Sequence, residues 1–246
     1  MCAGTLDDLV GRMERELDGL DGARRHFHAT YLRTTRAVVA EIERGGFADG
    51  AWLTRWDLVF ASLYLDALDA DRRGAPVSEP WRVAFSVADR EPDLPPLRHV
   101  LFGMNAHINY DLPQALVAVV SSADFDDPAV LRGREADHRH LDSVLQSRVA
   151  AEGAEIGAVS RVRRVDRLLG PANRAATRRF VAESRAKVWR NAVVLDRAGR
   201  GGPEGYVVKL AELERLCAAK VRELAAPGPV LLKLARRGFG VLLPEA

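Results

Sequence analysis

Cysteine and lysine are scarce in this chain of 246 residues. The two cysteines, Cys2 and Cys217, are too few and too far apart for a disulfide framework, which favours a reducing compartment. Only four residues are lysines, so arginine carries most of the positive charge. The first 20 residues contain five acidic side chains, which is not typical of a secretory signal. We therefore expect a cytoplasmic protein.

Several widespread catalytic and cofactor motifs are absent from the sequence. It contains no Cys-x-x-Cys pair, no Gly-x-Ser-x-Gly elbow and no glycine-rich phosphate loop that follows a strand pattern. The alternating patterns rich in Val, Ile and Thr that mark β-strands are also missing. These absences argue against the common nucleotide-binding and α/β-hydrolase classes, and the sequence indicates no particular cofactor.

The charge distribution bears on the choice of partner. Residues 151–246 hold 19 Lys or Arg against 10 Asp or Glu, whereas residues 1–150 are net acidic. The arginines are interleaved with acidic residues and no nucleic-acid-binding motif is present, so we predict no nucleic-acid partner. Residues 100–123 lack Lys, Arg and Glu, but the polar side chains among them would be costly at a bilayer centre. We predict a buried helix there and no membrane partner.

The hydrophobic period is helical nearly everywhere, which predicts an all-α fold. Residues 1–246 are expected to form a single multi-helix domain, and residues 171–246 are the candidate for a looser C-terminal helical part. Glycine and proline stops separate the predicted helices. These helices cover residues 6–20, 23–44, 51–72, 80–88, 97–122, 127–151, 156–169, 173–198 and 210–224, before a short terminal helix.

The run from Phe102 to Pro113 contains most of the candidate site. On a helix that advances about 100° per residue, His107 and Asp111 share one face, and Asn105 and Asn109 share a nearly opposite face. The rest of the run is apolar, so the helix is expected to be central and buried. Each buried polar side chain then needs a partner, since an unpaired one costs about 1–3 kcal/mol.

Pro113 predicts a break in this central helix. Inside a helix, proline removes one hydrogen bond and its ring pushes against the carbonyl four residues earlier, here that of Asn109. We expect a kink or a helix junction between Asn109 and Pro113, with Asn109 or Asp111 bonded to freed backbone groups. The break coincides with the His107/Asp111 pair, and local rule-breaking at a polar cluster is typical of functional sites.

Three interpretations of the pair remain open. It is a structural hydrogen bond, a pair of metal ligands, or a metal-free acid/base pair in which Asp111 orients His107. A second pair with the same spacing, His138 and Asp142, is the sequence's best source of further metal ligands. The leading hypothesis names His107 and Asp111 as catalytic residues and needs no metal. The substrate-binding candidates are Asn105, Asn109, Tyr110, Asp57, Tyr64 and Asp137.

Residues 104–113 also carry a family resemblance. They read Met-Asn-Ala-His-Ile-Asn-Tyr-Asp-Leu-Pro and resemble the Met-Asn-x-His-Ile-Asn-x-Asp-Leu-Pro hallmark of a bacterial family of helical proteins of unknown function. Weaker similarities lie at residues 137–145 and at Arg185 with Trp189, and the resemblance spans about residues 20–225. The His-x-x-x-Asp pair is also distantly similar to a ligand pair of zinc-dependent phospholipase C-type helical proteins, which implies metal ligation by His107 and Asp111.

From these observations we expect a cytosolic enzyme that acts on a small, largely apolar molecule by acid/base chemistry at a buried His–Asp pair. A step in a biosynthetic pathway is one setting for such an enzyme. The alternatives are a metal-dependent hydrolase with His107 and Asp111 as ligands, and a non-catalytic helical interaction module.

Overall fold

The computed structural model describes residues 4–159, 170–228 and 230–244, together with the side chains of most of them. The described residues form helices and no strands, in agreement with the predicted all-α class. The helices, numbered along the chain, are α1 (Leu6–Asp18), α2 (Arg24–Glu43), α3 (Gly50–Arg72), α4 (Glu79–Arg90), α5 (Pro96–Ala106), α6 (Leu112–Val119), α7 (Ser122–Asp126), α8 (Pro128–Val159), α9 (Gly170–Arg200), α10 (Pro203–Ala225) and α11 (Val230–Arg237).

Local sequence signals account for several helix starts. Thr5 and Asp8 form the predicted capping box, each side chain bonding the other residue's backbone N–H. The carboxylate of Asp49 accepts from the backbone N–H of Trp52 and caps α3. Helix α10 begins at Pro203, because proline has no N–H that a helix start would leave unsatisfied.

Two boundary predictions were wrong. The break predicted between residues 151 and 156 is absent, since α8 continues to Val159, and the remainder of the helix predicted for 156–169 lies outside the described residues. The long loop predicted for residues 199–205 is reduced to residues 201–202, because α9 extends to Arg200 and α10 begins at Pro203. The glycines of this segment do not prevent a helix from starting at Pro203, because proline is favoured at the first helical position.

Helices α5 and α6 run through the middle of a single domain. Helix α5 packs against α2, α4 and α10, and α6 packs against α3 and α9. Residues around this axis are almost fully buried, including Phe102 and Ala106 of α5 and Leu116 of α6. The central helix predicted from its lack of charge is therefore confirmed. No helix in the described part of the chain combines the length and the apolar character that a membrane crossing requires.

A π-helical turn at His107–Asp111 joins α5 to α6. The backbone N–H of Leu112 reaches back five residues to the carbonyl of His107, which widens the helix just before Pro113. Pro113 then lies within the first turn of α6, where its missing N–H is tolerated. The predicted disruption takes the form of this wide turn, and the helical residues continue through Pro113 without a gap. The predicted bonding of Asn109 or Asp111 to freed backbone groups was wrong, because Asn109 bonds the backbone of residues 239 and 241 and Asp111 bonds His107 and Trp81.

The close approach of α2 to α5 depends on a glycine. A Cβ atom built at Gly103 would overlap the ring of Phe27, which packs on the rings of Tyr64 and Trp81. Gly103→Ala is therefore expected to lower the free energy of unfolding by about 1–3 kcal/mol, the usual cost of overpacking. Chemical denaturation measures this. Gly133→Ala is the matched control, since its Cβ meets nothing within 4 Å and the change should stabilise α8 by up to about 1 kcal/mol. Equal effects of the two substitutions would contradict this account.

Candidate functional site

His107 and Asp111 form a hydrogen-bonded pair in the protein interior. His107 Nδ1 lies 2.9 Å from Asp111 Oδ2, and both side chains are only 3% exposed. The indole N–H of Trp81 on α4 donates to the same Oδ2 atom at 2.9 Å. The pairing follows from the four-residue spacing that the sequence showed, whereas the third member comes from a separate helix.

The hydrogen bonds indicate which nitrogen of His107 carries the proton. Because the Trp81 indole can only donate, Oδ2 of Asp111 is an acceptor, and the simplest assignment has His107 donating from Nδ1–H. Burial lowers the pKa of His107, against the opposing effect of Asp111, so the imidazole is neutral at rest. Burial raises the pKa of Asp111, and the bonds from His107 and Trp81 oppose that rise. The pair is thus a buried carboxyl group whose Oδ2 accepts from a neutral imidazole.

Aromatic rings surround the imidazole. The ring of Phe60 stacks on His107 at 3.7 Å between centroids and 5° between planes, and Tyr31 meets it edge-on at 4.5 Å. Phe27, Tyr64 and Trp81 complete the surround at 6.0–6.1 Å. The imidazole is thus enclosed by rings, in line with its 3% exposed side chain.

Several buried polar atoms near the pair have no hydrogen-bond partner among the described residues. They include His107 Nε2 on the π turn and Asp57 Oδ2 on α3, whereas the nearby hydroxyls of Tyr31 and Thr35 on α2 interact with each other. Burial raises the pKa of Tyr31, and the charges of Asp57 and Asp111 raise it further. Burial raises the pKa of Asp57 to about 7. Such groups are costly to bury unless they are used.

A cleft of about 240 Å³ leads to Asp111 from the surface between α3, α4 and the π turn. Asp111 and Tyr110 border this cleft, and His107 does not. Asp111 therefore stands between the cleft and the imidazole. Both hydrogen bonds of its carboxylate arrive at Oδ2, which leaves Oδ1 as the oxygen without a bond to a described residue.

The amides of Asn105 and Asn109 bind the C-terminal tail, which we define as residues 239–243. Both Nδ2 groups donate to the carbonyl of Phe239 at 3.1 Å, and Asn109 Oδ1 accepts from the backbone N–H of Val241 at 3.2 Å. Asn191 on α9 continues this pattern with the carbonyl of Val241 and the N–H of Leu243. The structure therefore places the two predicted substrate-binding asparagines on a peptide segment of the chain itself.

Two other predicted residues have partners away from the pair. The Tyr64 hydroxyl bonds Nδ1 of His28 at 2.9 Å, while Nε2 of that imidazole lies 2.7 Å from the carbonyl of Met13. Both carboxylate oxygens of Asp137 accept backbone N–H groups, from Ala48 at 2.8 Å and from Asp49 at 3.0 Å. Asp137 thus anchors the start of α3 and does not approach His107.

The second histidine pair does not join the first. His138 Nδ1 accepts from the indole N–H of Trp189 at 3.0 Å, and the rings of Trp56 and Phe60 lie between this imidazole and His107. The side chain of Asp142 lies outside the described residues. Within the part of the chain that the structure describes, no three His, Cys, Asp or Glu side chains are arranged to hold a metal ion.

A comparison with protein families decides what the chain is related to. A model described as a family of unknown function (DUF5995) matches residues 6–227. The chain belongs to this family. No curated protein and no solved structure matches it. Membership of DUF5995 confirms the resemblance to a family of unknown function, whereas the hallmark status of residues 104–113 and the likeness to zinc-dependent phospholipase C stay predictions.

Sequence reasoning missed the partners that come from distant segments. Trp81, Tyr31 and Asn191 are 26 to 80 positions away from the nearest residue of the π turn, and no local spacing connects them to it. A weak signal existed for Tyr31 and Thr35, which lie four residues apart on one face of α2. Trp81 gave no signal beyond its place in a short apolar helix.

Proposed function

We propose that the protein is a cytoplasmic enzyme that acts on a small, largely apolar molecule by acid/base chemistry at the His107–Asp111 pair. The observation that supports this proposal is the position of Asp111. Its carboxylate is buried, borders a cleft, and is held on one oxygen only by His107 and Trp81. A desolvated carboxylate of this kind is a stronger base than one in water.

The two members of the pair have different roles in this proposal. Asp111 takes a proton from the bound molecule at Oδ1 and returns it. His107 is a positioning residue, because it bonds Oδ2 and does not border the cleft. Its N–H favours the ionised form of Asp111, and the aromatic shell keeps water away from the imidazole. The apolar walls of the cleft, including Leu63, Ala67 and Val77, suit an apolar substrate body.

Turnover is tested with a mixture of small molecules. Purified protein is incubated with a cell extract, and mass spectrometry identifies compounds that it consumes. Asp111→Asn should lower the rate of consumption by at least about 100-fold, since general acid/base groups contribute about 10²–10⁴-fold. Asp126→Asn is the matched control, because that carboxylate pairs with Arg200 away from the cleft. A folded Asp111→Asn protein that consumes the same compound at the wild-type rate would refute the proposal.

The role of His107 has its own readout in the same assay. Loss of its hydrogen bond removes an effect that lowers the pKa of Asp111. In His107→Ala, the acidic limb of the pH–rate profile should therefore move to higher pH, because Asp111 then stays protonated to a higher pH. His140→Ala, at a half-exposed histidine that bonds Glu41, should leave the limb in place.

One observation favours a second candidate, a non-catalytic helical interaction module. The amides of Asn105 and Asn109 hold a segment of peptide backbone, so part of the central polar run serves packing. If this is the whole role, His107→Ala and Asp111→Asn lower stability by about 1–3 kcal/mol and no compound is consumed by the wild-type protein.

A further inference from the structure

The cleft beside Asp111 is lined by acidic residues and by no basic ones among the described residues. Its polar and aromatic wall contains Asp111, Asp66, Trp81 and Tyr110, and no Lys or Arg is among the described residues that line it. The remaining wall is mostly apolar. It is formed by Leu63, Ala67, Ala70, Pro76, Val77, Ser78 and Gln114.

Nearby charges add to the negative field. Glu214 on α10 accepts from the backbone N–H of Glu79, next to Ser78 in the cleft wall. Burial raises the pKa of the Tyr110 phenol, and the charges of Glu214 and Asp111 raise it further. Arg12 is the counter-charge of Asp66, which it bonds at 3.3 Å, and it bonds Asp69 at 2.7 Å. The exposed Asp66 is thus partly neutralised, whereas Asp111 has only neutral N–H donors as partners in the described structure.

The Tyr110 side chain gives the cleft a second polar group beside Asp111. It is 8% exposed and borders the cleft. Gln114, which also borders the cleft, donates from its amide N–H to the carbonyl of Tyr110, so that backbone group is satisfied. The phenol hydroxyl is available to a molecule bound in the cleft.

We propose that this cleft binds a small organic amine in its ammonium form. The ammonium group donates to Oδ1 of Asp111, and the hydrocarbon part lies against the ring of Trp81 and the α3 wall. This inference deepens the proposed function, on which it rests, by naming the class of substrate. Trp81 is well placed for the contact, since its bond to Asp111 fixes the indole at the carboxylate.

The geometry favours a cation over neutral or anionic molecules. A buried carboxylate gains most from a charged donor, and an indole ring face adds attraction for positive charge. An anion would meet Asp111 and the field of Glu214 with no basic residue in the described lining to offset them. The volume, about 240 Å³, is below the usual 300–1,000 Å³ of ligand pockets, which restricts the amine to a small one.

Three probes of similar shape and different charge test the proposal on the full-length protein. Binding of benzylamine, benzyl alcohol and benzoate is measured by isothermal titration calorimetry and by NMR chemical-shift changes. Benzylamine should bind saturably, benzyl alcohol at least about tenfold more weakly, and benzoate not at all. Equal affinity for benzoate and benzylamine, or no saturable binding of benzylamine, would overturn the proposal.

Variants locate the binding. Asp111→Asn should weaken benzylamine binding at least about tenfold, and Ala70→Phe, which fills the cleft from α3, should abolish it even if Asp111→Asn fails to fold. The control Asp126→Asn should bind benzylamine as the wild type does. Unchanged binding in Ala70→Phe would place the amine elsewhere and refute the site.

The outcomes separate this inference from the proposed function. Amine binding that Ala70→Phe abolishes, combined with compound consumption that survives Asp111→Asn, would leave the site standing and remove the catalytic role. If the protein consumes an uncharged compound, needs Asp111 to do so and binds no amine, the catalytic role of Asp111 stands and the amine site is refuted.

Discussion

Ending the chain at Gly238 is expected to remove most of the stability of the fold. The lost residues include Phe239, Val241 and Leu243, which are 1–9% exposed and pack into two core clusters. Burial of such side chains contributes about 1.5–3 kcal/mol each, so the loss is about 5–9 kcal/mol, in the range of a typical total stability. The amides of Asn109 and Asn191 also lose their backbone partners, which adds to the cost.

Thermal and chemical denaturation of the truncated protein measure this effect. A chain that ends after Pro244 is the control and should melt like the full-length protein. A synthetic peptide of residues 238–246 added to the truncated chain should restore part of the stability, because the side-chain amides that receive the tail remain in place. Asn109→Ala, which removes one amide and keeps the tail, should cost about 1–3 kcal/mol. A truncated chain that melts within a few degrees of the full-length protein would contradict the role assigned to the tail.

Asp57→Asn is expected to stabilise the protein at alkaline pH. Burial raises the pKa of Asp57 to about 7 in the folded state, against an ordinary value near 3.9 in the unfolded chain. The folded state therefore retains a proton that the unfolded state releases, and stability falls as the pH rises from about 4 to about 7. The full pKa shift corresponds to a loss on the order of 4 kcal/mol in the free energy of unfolding. Asn has the same shape and no charge, so the Asp57→Asn protein does not lose this stability.

Other groups change stability with pH in the opposite direction, so the difference between wild type and variant is the quantity to measure. Burial lowers the pKa of His138 to about 3, below the ordinary value of 6.5 that it has in the unfolded chain. The free energy of unfolding therefore falls as the pH drops below about 6.5, because only the unfolded state takes up the proton there. The free energies of unfolding of both proteins are measured by urea denaturation at pH 5 and pH 8. Because both proteins contain His138, its contribution cancels when the two values at one pH are subtracted. The advantage of Asp57→Asn should grow by about 2–3 kcal/mol between these values. Asp66→Asn, at a carboxylate with a 71% exposed side chain, is the control and should show no such growth. If the stability advantage of Asp57→Asn is the same at pH 5 and pH 8, the claim that burial makes the charge of Asp57 costly is refuted.

Local spacing explains what the sequence could predict. The meeting of His107 with Asp111 requires only that four residues span about one helical turn, and the absence of Lys, Arg and Glu over residues 100–123 places that turn inside the core. Pro113 likewise marked the break, because its ring and missing N–H disrupt any α-helix in which it is embedded. These features depend on neighbours in the chain.

The rest depended on tertiary contacts. Asp137 has the composition of a ligand-binding residue, yet two backbone N–H groups at the start of α3 use both of its oxygens. Asn105 and Asn109 could be recognised as buried amides, but their partner is a segment 130 or more positions later that has no regular secondary structure. A hydrophobic period does not specify which distant backbone a polar side chain will meet.

The wide turn before Pro113 has a consequence for how related chains can vary in length. Because the N–H of Leu112 bonds a carbonyl five residues back, the turn contains one residue more than an α-helical turn needs. Deleting a residue within an α-helix rotates everything beyond it by about 100° relative to its neighbours. Deleting one between His107 and Asp111 instead closes the π turn to an α turn and leaves α5 and α6 seated as they are. Relatives one residue shorter here would keep the fold and change the histidine–aspartate spacing from four residues to three, so length at this turn sets the geometry with which the two side chains meet.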